Sequence, residues 1–189
     1  MSETRDRIIA TTSVLLTQQG YHATGLNQIV RESGTPRGSL YHYFPNGKEE
    51  LAAEAIRHRG TQMKAHVASE LARFEDPAEG IVQLVHTMVA NLVRREFATG
   101  APVAAVAMEA SSASEPLRLA CEEVYVSLRE PFEEALVRFG LDPESADRRA
   151  TAIIAALEGG LVLSYTSLDP APLEAVAEML EVTLANRPR

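Results

Sequence analysis

The sequence predicts an all-α fold of about nine helices, and three features of the chain support this prediction. Apolar residues recur three and four positions apart, the spacing that places them on one face of an α-helix. Ala, Leu, Glu and Arg are frequent, and these residues favour helices. Aromatic residues make up only 5% of the chain, and the alternating β-branched runs that would indicate strands are hard to find.

Glycine and proline divide the N-terminal third of the chain into four predicted helices. Gly20 and Gly34 end the first and second helices, the turn Pro45–Gly47 closes the third, and the fourth begins near Lys48. The apolar stripes of these helices cover Ile8–Leu16, Leu26–Val30, Leu40–Phe44 and Leu51–Val67.

In the remainder of the chain, the spacing of apolar residues predicts five further helices, separated by turns that contain glycine or proline. They run over Ala78–Glu96, Pro102–Ser111, Glu115–Phe139, Pro143–Thr166 and Pro172–Asn186. Pro131 falls inside the third of these stretches, where we expect a kink or a restart of the helix. No internal repeat or low-complexity segment is present.

Composition and charge limit the possible classes of protein. The chain has 189 residues, of which 46% are hydrophobic, enough to bury a sizeable core. No unbroken apolar run approaches the ~18 residues that span a bilayer, and residues 1–20 lack the apolar region of a signal peptide. We therefore expect a cytoplasmic protein. The single cysteine, Cys121, rules out an intramolecular disulfide and is expected to be a packing residue.

The net charge of −8 is unevenly distributed. Residues 1–60 contain seven Lys and Arg and six Asp and Glu, a net charge of +1, whereas residues 61–189 contain eleven and twenty, a net charge of −9. A near-neutral head with local basic clusters can still bind phosphate on one face. The bulk charge alone does not decide whether the protein binds nucleic acid.

Two short helices joined by a tight turn are predicted between residues 24 and 44. We expect Thr24 to cap the first of them through its hydroxyl and Gly34 to supply the left-handed conformation of the turn. Pro36 lies near the first turn of the second helix, where its missing N–H costs little, and Leu40 is its one inward residue. Two short helices joined in this way form a helix-turn-helix, whose second helix enters the major groove of DNA.

The residue types of this second helix suit contact with DNA. Arg37 can bind guanine in a bidentate manner or pair with phosphate, and Gly38 lets the backbone approach closely. Ser39, Tyr41 and His42 can contact phosphates or bases, and Lys48 can place an ammonium group against a phosphate.

The segment GTPRGSLYHYFPNGKEEL, preceded by YHATGLNQIV, resembles the N-terminal domain of TetR-family regulators over about residues 4–60. That family has Leu-Tyr-x-x-Phe in its recognition helix, followed by a turn, a Lys, acidic residues and a Leu, as at Leu40–Leu51 here. The resemblance implies a palindromic double-stranded DNA operator, with Arg37 at the variable specificity position and Tyr41 and Lys48 on phosphate. The DNA-binding residues expected in all are Thr24, Thr35, Pro36, Arg37, Gly38, Ser39, Tyr41, His42 and Lys48.

Two later segments, GAPVAAVAMEAS and ALEGGLVLSYTS, resemble the subgroup related to the LmrA and YxaF repressors. This resemblance implies that Pro143–Thr166 and Pro172–Asn186 form a four-helix interface in a homodimer. Their apolar stripes are consistent with that role, although any buried pair of helices shows such stripes. The predicted interface residues are Ile153, Ile154, Leu157, Gly160, Leu161, Leu173, Val176, Leu180 and Leu184.

Evidence for a ligand pocket is weaker, because residues that fill a core have the same character as residues that line a cavity. The candidates are Met63, His66, Met88, Leu92, Met108, Tyr125 and Tyr165. The residues His66, His86 and Glu109 lack the three- or four-residue spacing that places two metal ligands on one helix face. We therefore predict neither a metal site nor a cofactor.

These observations predict a regulator of transcription with two domains. Residues 1–47 would form the helix-turn-helix DNA-binding domain, and residues 48–189 the domain that binds an effector and dimerises. A small-molecule effector of unknown identity would release this repressor from its operator. Two alternatives remain open: a helical carrier or enzyme, for which no catalytic set of residues is visible, and a DNA-binding protein without an effector.

Overall fold

The computed structural model of the chain describes residues 3–97, 107–109 and 114–185. These residues form helices and turns but no strand, which confirms the all-α class. The eight helices of this part are α1 (Glu3–Ala23), α2 (Leu26–Ser33), α3 (Arg37–Tyr43), α4 (Lys48–Leu71), α5 (Pro77–Arg94), α6 (Glu115–Phe139), α7 (Pro143–Ser167) and α8 (Ala171–Leu184).

Residues 107–109 are also helical and belong to the stretch predicted as a helix from Pro102 to Ser111. The other residues of that stretch lie outside the described residues, as does Asn186 at the end of the last predicted helix. Helix α6 passes through Pro131 as one continuous helix, so the restart considered at that proline does not occur.

Glycines shape the first two helices: Gly34 ends α2 as predicted, whereas α1 continues past Gly20, where the sequence predicted its end. Gly20 has φ 78° and ψ 178°, so two helical segments of α1 meet at a kink there. Gly34 has φ 61° and ψ 31° at the end of α2, the left-handed conformation that closes many helices. Its N–H donates to backbone carbonyls of α2. The chain can therefore reverse between α2 and α3 within three residues.

The predicted cap of α2 is wrong. Gly25, not Thr24, is the N-cap residue, and no side chain bonds there. The hydroxyl of Thr24 instead donates to the carbonyl of Gly20 at 2.7 Å, and Thr24 is completely buried. Because the kink at Gly20 leaves a carbonyl without its helical partner, the nearest hydroxyl satisfies that group rather than the start of α2.

Residue contacts divide the chain into two compact units, and the first comprises Met1–Gln62 and Thr99–Tyr125. In it α1 packs against α2 and α3, and these two pack against each other. Leu40 is completely buried, as predicted for the inward residue of α3. The apolar side chains that fill this unit around the helix-turn-helix are Ile8, Leu15, Leu16, Ile29, Leu40, Phe44, Leu51 and Ala55.

The second unit comprises Met63–Ala98 and Val126–Arg189. Its last helix, α8, packs against both α5 and α7. One apolar cluster fills the unit and includes Leu71, Ile81, Leu84, Val85, Leu92, Phe132, Leu136, Phe139, Ile153, Leu157, Leu173 and Leu180. A Cβ atom at Gly160 would lie 3.0 Å from Cγ2 of Val176. The small residue therefore brings α7 close to α8 of the same chain.

The residues predicted for the dimer interface are buried or partly buried within their own chain. Six of them are buried within their own unit, namely Ile153, Leu157, Gly160, Leu173, Leu180 and Leu184. The other three, Ile154, Leu161 and Val176, are partly buried against the same cluster. An apolar stripe shows that a helix face is covered, but not whether its own chain or a second chain covers it.

A different stripe of small and apolar residues on the same two helices is exposed. Val162, Leu163, Met179 and Val182 are 41%, 58%, 44% and 74% exposed. The full stripe, called here the α7–α8 face, consists of Ala152, Ala155, Gly159, Val162, Leu163 and Thr166 on α7 and Ala175, Met179 and Val182 on α8. The steps of three and four residues between members of each set place them on one side of each helix.

Among the described residues, helix α7 is long and apolar enough to cross a membrane, judged by length and composition alone, although it contains no unbroken apolar run. An 18-residue window within Pro143–Ser167 has a mean hydropathy of 1.3, and 28% of it is buried. A core helix of a protein that does not enter a membrane can meet the same criterion of length and composition.

Candidate nucleic-acid interface

Helix α3 presents its first turn to solvent because its few apolar contacts lie on the opposite side. Pro36 is the N-cap residue with φ −61° and ψ 141°, and α3 begins at Arg37. Leu40 anchors the helix from beneath, while Arg37, Gly38 and His42 are exposed and Tyr41 is 43% exposed. Ser39 is half-buried. The structure therefore brings together on one exposed helix most of the residues predicted to contact DNA.

The aromatic ring of Tyr41 lies beside the side chain of Arg37. The Arg37 guanidinium carbon is 5.9 Å from the ring centroid, within the range of a cation–π contact. Arg37 and Tyr41 are four residues apart and therefore lie on the same side of α3. This contact restricts the long arginine side chain, which lowers the conformational entropy that the guanidinium would lose on binding a partner.

Arg5, which the sequence analysis did not identify, connects three of the first four helices. Its Nη2 donates to Oε2 of Glu54 in α4 at 3.0 Å. Its guanidinium carbon lies 5.4 Å from the ring centroid of Phe44, the residue that ends α3. One side chain of α1 thus holds α4 and the end of α3, and this contact positions the recognition helix.

Lys48 is the first residue of α4 and is half-buried. Its Nζ lies 4.2 Å from the ring centroid of Tyr21. Desolvation lowers the pKa of Lys48, and the negative charge of Glu109 partly opposes this shift. The ammonium group is therefore held against an aromatic face rather than extended into solvent, a placement that the sequence did not indicate.

Thr24 and Thr35 are not placed to contact DNA, contrary to prediction. Thr24 is completely buried and bonded to Gly20. Thr35 is 4% exposed, and its hydroxyl lies 2.7 Å from that of Ser33. Both hydroxyls serve the helix-turn-helix internally, because a buried hydroxyl must find a partner within the chain.

A polar network joins the end of α1 to α2. Nε2 of Gln19 donates to the carbonyl of Ala23 and to Oε1 of Gln28, each at 2.9 Å. Gln28 in turn donates to Glu32 at 2.9 Å. These contacts fix the start of α2 relative to the end of α1.

The carboxylate of Glu109 bonds to the same end of α1. Its Oε2 accepts from the N–H of Tyr21 at 2.9 Å, and its Oε1 accepts from the N–H of His22 at 2.6 Å. From the sequence alone, Glu109 is notable only as a possible metal ligand, which its spacing from His66 and His86 argues against. Nothing in the sequence indicates this contact, because 87 residues separate the two partners.

The residues predicted to line a pocket differ in their burial. Leu92 fills the apolar cluster of the second unit, and Met88 and Tyr165 pack against that cluster. His66 is exposed, and Met108 is 77% exposed. Met63 and Tyr125 are half-buried. Within residues 3–97, 107–109 and 114–185, no group of three or more His, Cys, Asp or Glu side chains could hold a metal ion.

Two family models match the chain. Residues 8–55 match the model for bacterial regulatory proteins of the tetR family. Residues 77–179 match the C-terminal domain of LmrA/YxaF-like transcriptional regulators. The chain belongs to the TetR family. It is therefore a helix-turn-helix transcriptional regulator, and its subgroup agrees with the one that the sequence segments indicated.

Relatives in the TetR family match the chain over almost its whole length. The uncharacterised HTH-type regulator YxaF of Bacillus subtilis is 40% identical, and the match covers 98% of this chain and 97% of YxaF. The regulator LmrA of the same organism is 39% identical over 90% of this chain and 91% of LmrA. A solved TetR regulator from Chloroflexus aurantiacus has a TM-score of 0.80 and 26% identity, covering 98% of this chain and 96% of that one.

Proposed function

We propose that this TetR-family protein is a cytoplasmic, homodimeric repressor that a small molecule releases from a palindromic operator. The observation that supports DNA binding most directly is the first turn of α3. There Arg37, Gly38 and Tyr41 face solvent above the buried Leu40. A carrier or enzyme is a weaker alternative, since both family models that match the chain describe transcriptional regulators.

Direct contact with DNA is assigned to the exposed residues of the recognition helix and to Lys48. Arg37 reads a base edge, preferably the two acceptors of guanine in the major groove. Tyr41 and Lys48 bind phosphates, which position the helix without reading sequence. Pro36, Gly38, Ser39 and His42 complete the contact surface. The roles of Thr24 and Thr35 are confined to the internal structure of the helix-turn-helix.

A second copy of this chain is the proposed partner of the α7–α8 face. Four large apolar side chains of this face are at least 41% exposed, and exposed apolar patches mark interaction sites. Ala152, Ala155 and Gly159 allow a second helix to approach closely, and nothing lies within 4 Å of a Cβ placed at Gly159. Two copies of α7 and α8 would form a four-helix interface related by a twofold axis.

Such a dimer determines the form of the operator. Two recognition helices on one side of the DNA lie about 34–36 Å apart, one helical turn, so the two half-sites form a palindrome. The proposed functional boundary lies between residues 47 and 48, at the start of α4. The separate matches of residues 8–55 and 77–179 to an N-terminal and a C-terminal family model support two functional parts, although the first match continues to residue 55.

The effector is assigned to residues 61–170, and we expect a small apolar or aromatic molecule. The apolar cluster of the second unit has Met88 and Tyr165 at its border, and the flexible side chain of methionine adapts to apolar ligands. Because coupling is reciprocal, DNA must weaken effector binding by the same factor as the effector weakens DNA binding.

Selection of bound sequences from random duplex DNA tests this function, followed by titration of the enriched sequence at two salt concentrations. We expect an enriched palindrome, bound by two protein chains, with an affinity that falls steeply as salt rises. Failure of the effector-free protein to enrich any sequence would contradict the proposed function.

A further inference from the structure

One carboxylate, that of Glu109, binds two successive backbone amides at the end of α1. Its two oxygens accept from the N–H groups of Tyr21 and His22 at 2.9 and 2.6 Å. Nε2 of His22 lies 3.9 Å from Oε1 of the same carboxylate. Hydrogen bonds from backbone amides to an ionised carboxylate are stronger than those between neutral groups. We call this contact the Glu109 latch.

The backbone at Gly20 makes the latch possible. With φ 78° and ψ 178°, Gly20 breaks the helix, so the amides that follow it resemble the unpaired amides at a helix start. A Cβ atom at position 20 would lie 2.5 Å from Oε2 of Glu109. The position thus requires glycine for its conformation and also for the space that the carboxylate occupies.

Tyr21 contacts both Lys48 and the carboxylate of the Glu109 latch. The Lys48 ammonium lies 4.2 Å from the centroid of the Tyr21 ring, and the amide of the same tyrosine donates to Glu109. The negative charge of Glu109 raises the pKa of Lys48 against the effect of desolvation. The ammonium is therefore attracted to a carboxylate of its own chain, at the position where it would meet a DNA phosphate.

We propose that Glu109 competes with DNA phosphate for Lys48, so that the closed latch weakens DNA binding and its opening strengthens it. This inference rests on the proposed function. Glu109 belongs to the part matched by the C-terminal family model, whereas Tyr21 and Lys48 belong to the part matched by the N-terminal one. Glu109 thus connects the part matched by the C-terminal model to an ammonium group in the part matched by the N-terminal one.

The first test compares DNA binding by the wild-type protein and Glu109→Gln, with Glu115→Gln as the matched control. Glu115 is exposed and pairs with Arg118 at 2.9 Å, so the control removes the same charge away from Lys48. We expect Glu109→Gln to bind a random duplex about two- to fivefold more tightly at low salt, the range for a partly exposed charge pair. Its salt slope should also be steeper by up to about one. The control should show neither change.

A second variant assigns the effect to Lys48. In a Lys48→Met background, Glu109→Gln should leave affinity unchanged, because the ammonium for which the carboxylate competes is absent. An equal gain in both backgrounds would overturn the proposal and indicate general repulsion between the carboxylate and DNA. If Glu109→Gln gives no gain in affinity, or a loss, in the protein that retains Lys48, the proposal is overturned as well.

Amide hydrogen exchange shows whether the hydrogen bonds of the latch are formed, independently of DNA affinity. Tyr21 and His22 should be protected in the wild-type protein and lose protection in Glu109→Ala, while amides of α7 remain unchanged. Addition of duplex DNA should lower protection of these two amides in the wild-type protein, and unchanged protection would count against the competition. Wild-type protein that binds no duplex would refute the proposed function instead, so the two failures are distinguishable.

Discussion

Gly60 of α4 and Val124 of α6 meet so closely that position 60 has no room for a side chain. A Cβ atom at Gly60 would overlap Cγ2 of Val124 and would lie 3.0 Å from Cγ1 of the same residue. Val124 is 2% exposed and has a branched, stiff side chain, so it cannot move aside. Close by, Arg57 of α4 forms two hydrogen bonds with Glu123 of α6, at 2.5 and 3.1 Å.

Substitution of this glycine should therefore destabilise the protein. Gly60→Ala gains up to about 1 kcal/mol of helix propensity, but overpacking costs about 1–3 kcal/mol. We expect a net loss of about 1 kcal/mol in the free energy of unfolding, measured by urea denaturation. The double variant Gly60→Ala/Val124→Ala should recover part of this loss relative to Val124→Ala alone. Equal effects of Gly60→Ala in both backgrounds would contradict the close contact.

Arg37 should carry sequence discrimination. Arg37→Ala is expected to weaken binding of the selected operator by about 1–3 kcal/mol and to relax the preference at one base position. Arg31→Ala is the matched control, because Arg31 is an exposed arginine of α2 that pairs with Glu32 at 3.5 Å. Fluorescence anisotropy with operator and single-base variants measures both effects. Unchanged discrimination in Arg37→Ala would mean that another residue reads the base.

Leu163 should be essential to the dimer. Its side chain is 58% exposed in the single chain, so Leu163→Arg should leave the fold intact while placing a charge in the proposed interface. We expect this variant to be monomeric in sedimentation-velocity experiments at micromolar concentration. Val137→Arg, at a position of α6 that is 45% exposed, is the control and should remain dimeric. A dimeric Leu163→Arg protein would exclude the α7–α8 face.

Cys121 should be an unreactive thiol in the folded protein. It is 4% exposed, and burial raises its pKa. The thiolate is the reactive form, so its fraction at pH 8 should be below that of an ordinary cysteine. Reaction with an aromatic disulfide reagent at pH 8 should accelerate when urea unfolds the protein. Equally fast labelling of the folded and unfolded chain would contradict the buried position.

Local patterns were sufficient to predict the helix-turn-helix. The turn at Gly34 requires a left-handed conformation, and the inward position of Leu40 follows from the spacing of apolar residues within α3. Both depend on neighbours a few residues away, as does the exposure of Arg37 and Tyr41. The all-α class and the family resemblance likewise follow from short-range periodicity and one continuous motif.

Contacts between distant residues were decided by tertiary structure. Ile153 and Leu157 belong to an apolar stripe that α8 and the core of the same chain cover. The exposed stripe beside it contains smaller residues such as Ala155 and Gly159. Similarly, Glu109 reaches the end of α1 from a position 87 residues later in the chain. Periodicity specifies which face of a helix is buried, whereas the identity of its partner depends on how the helices assemble.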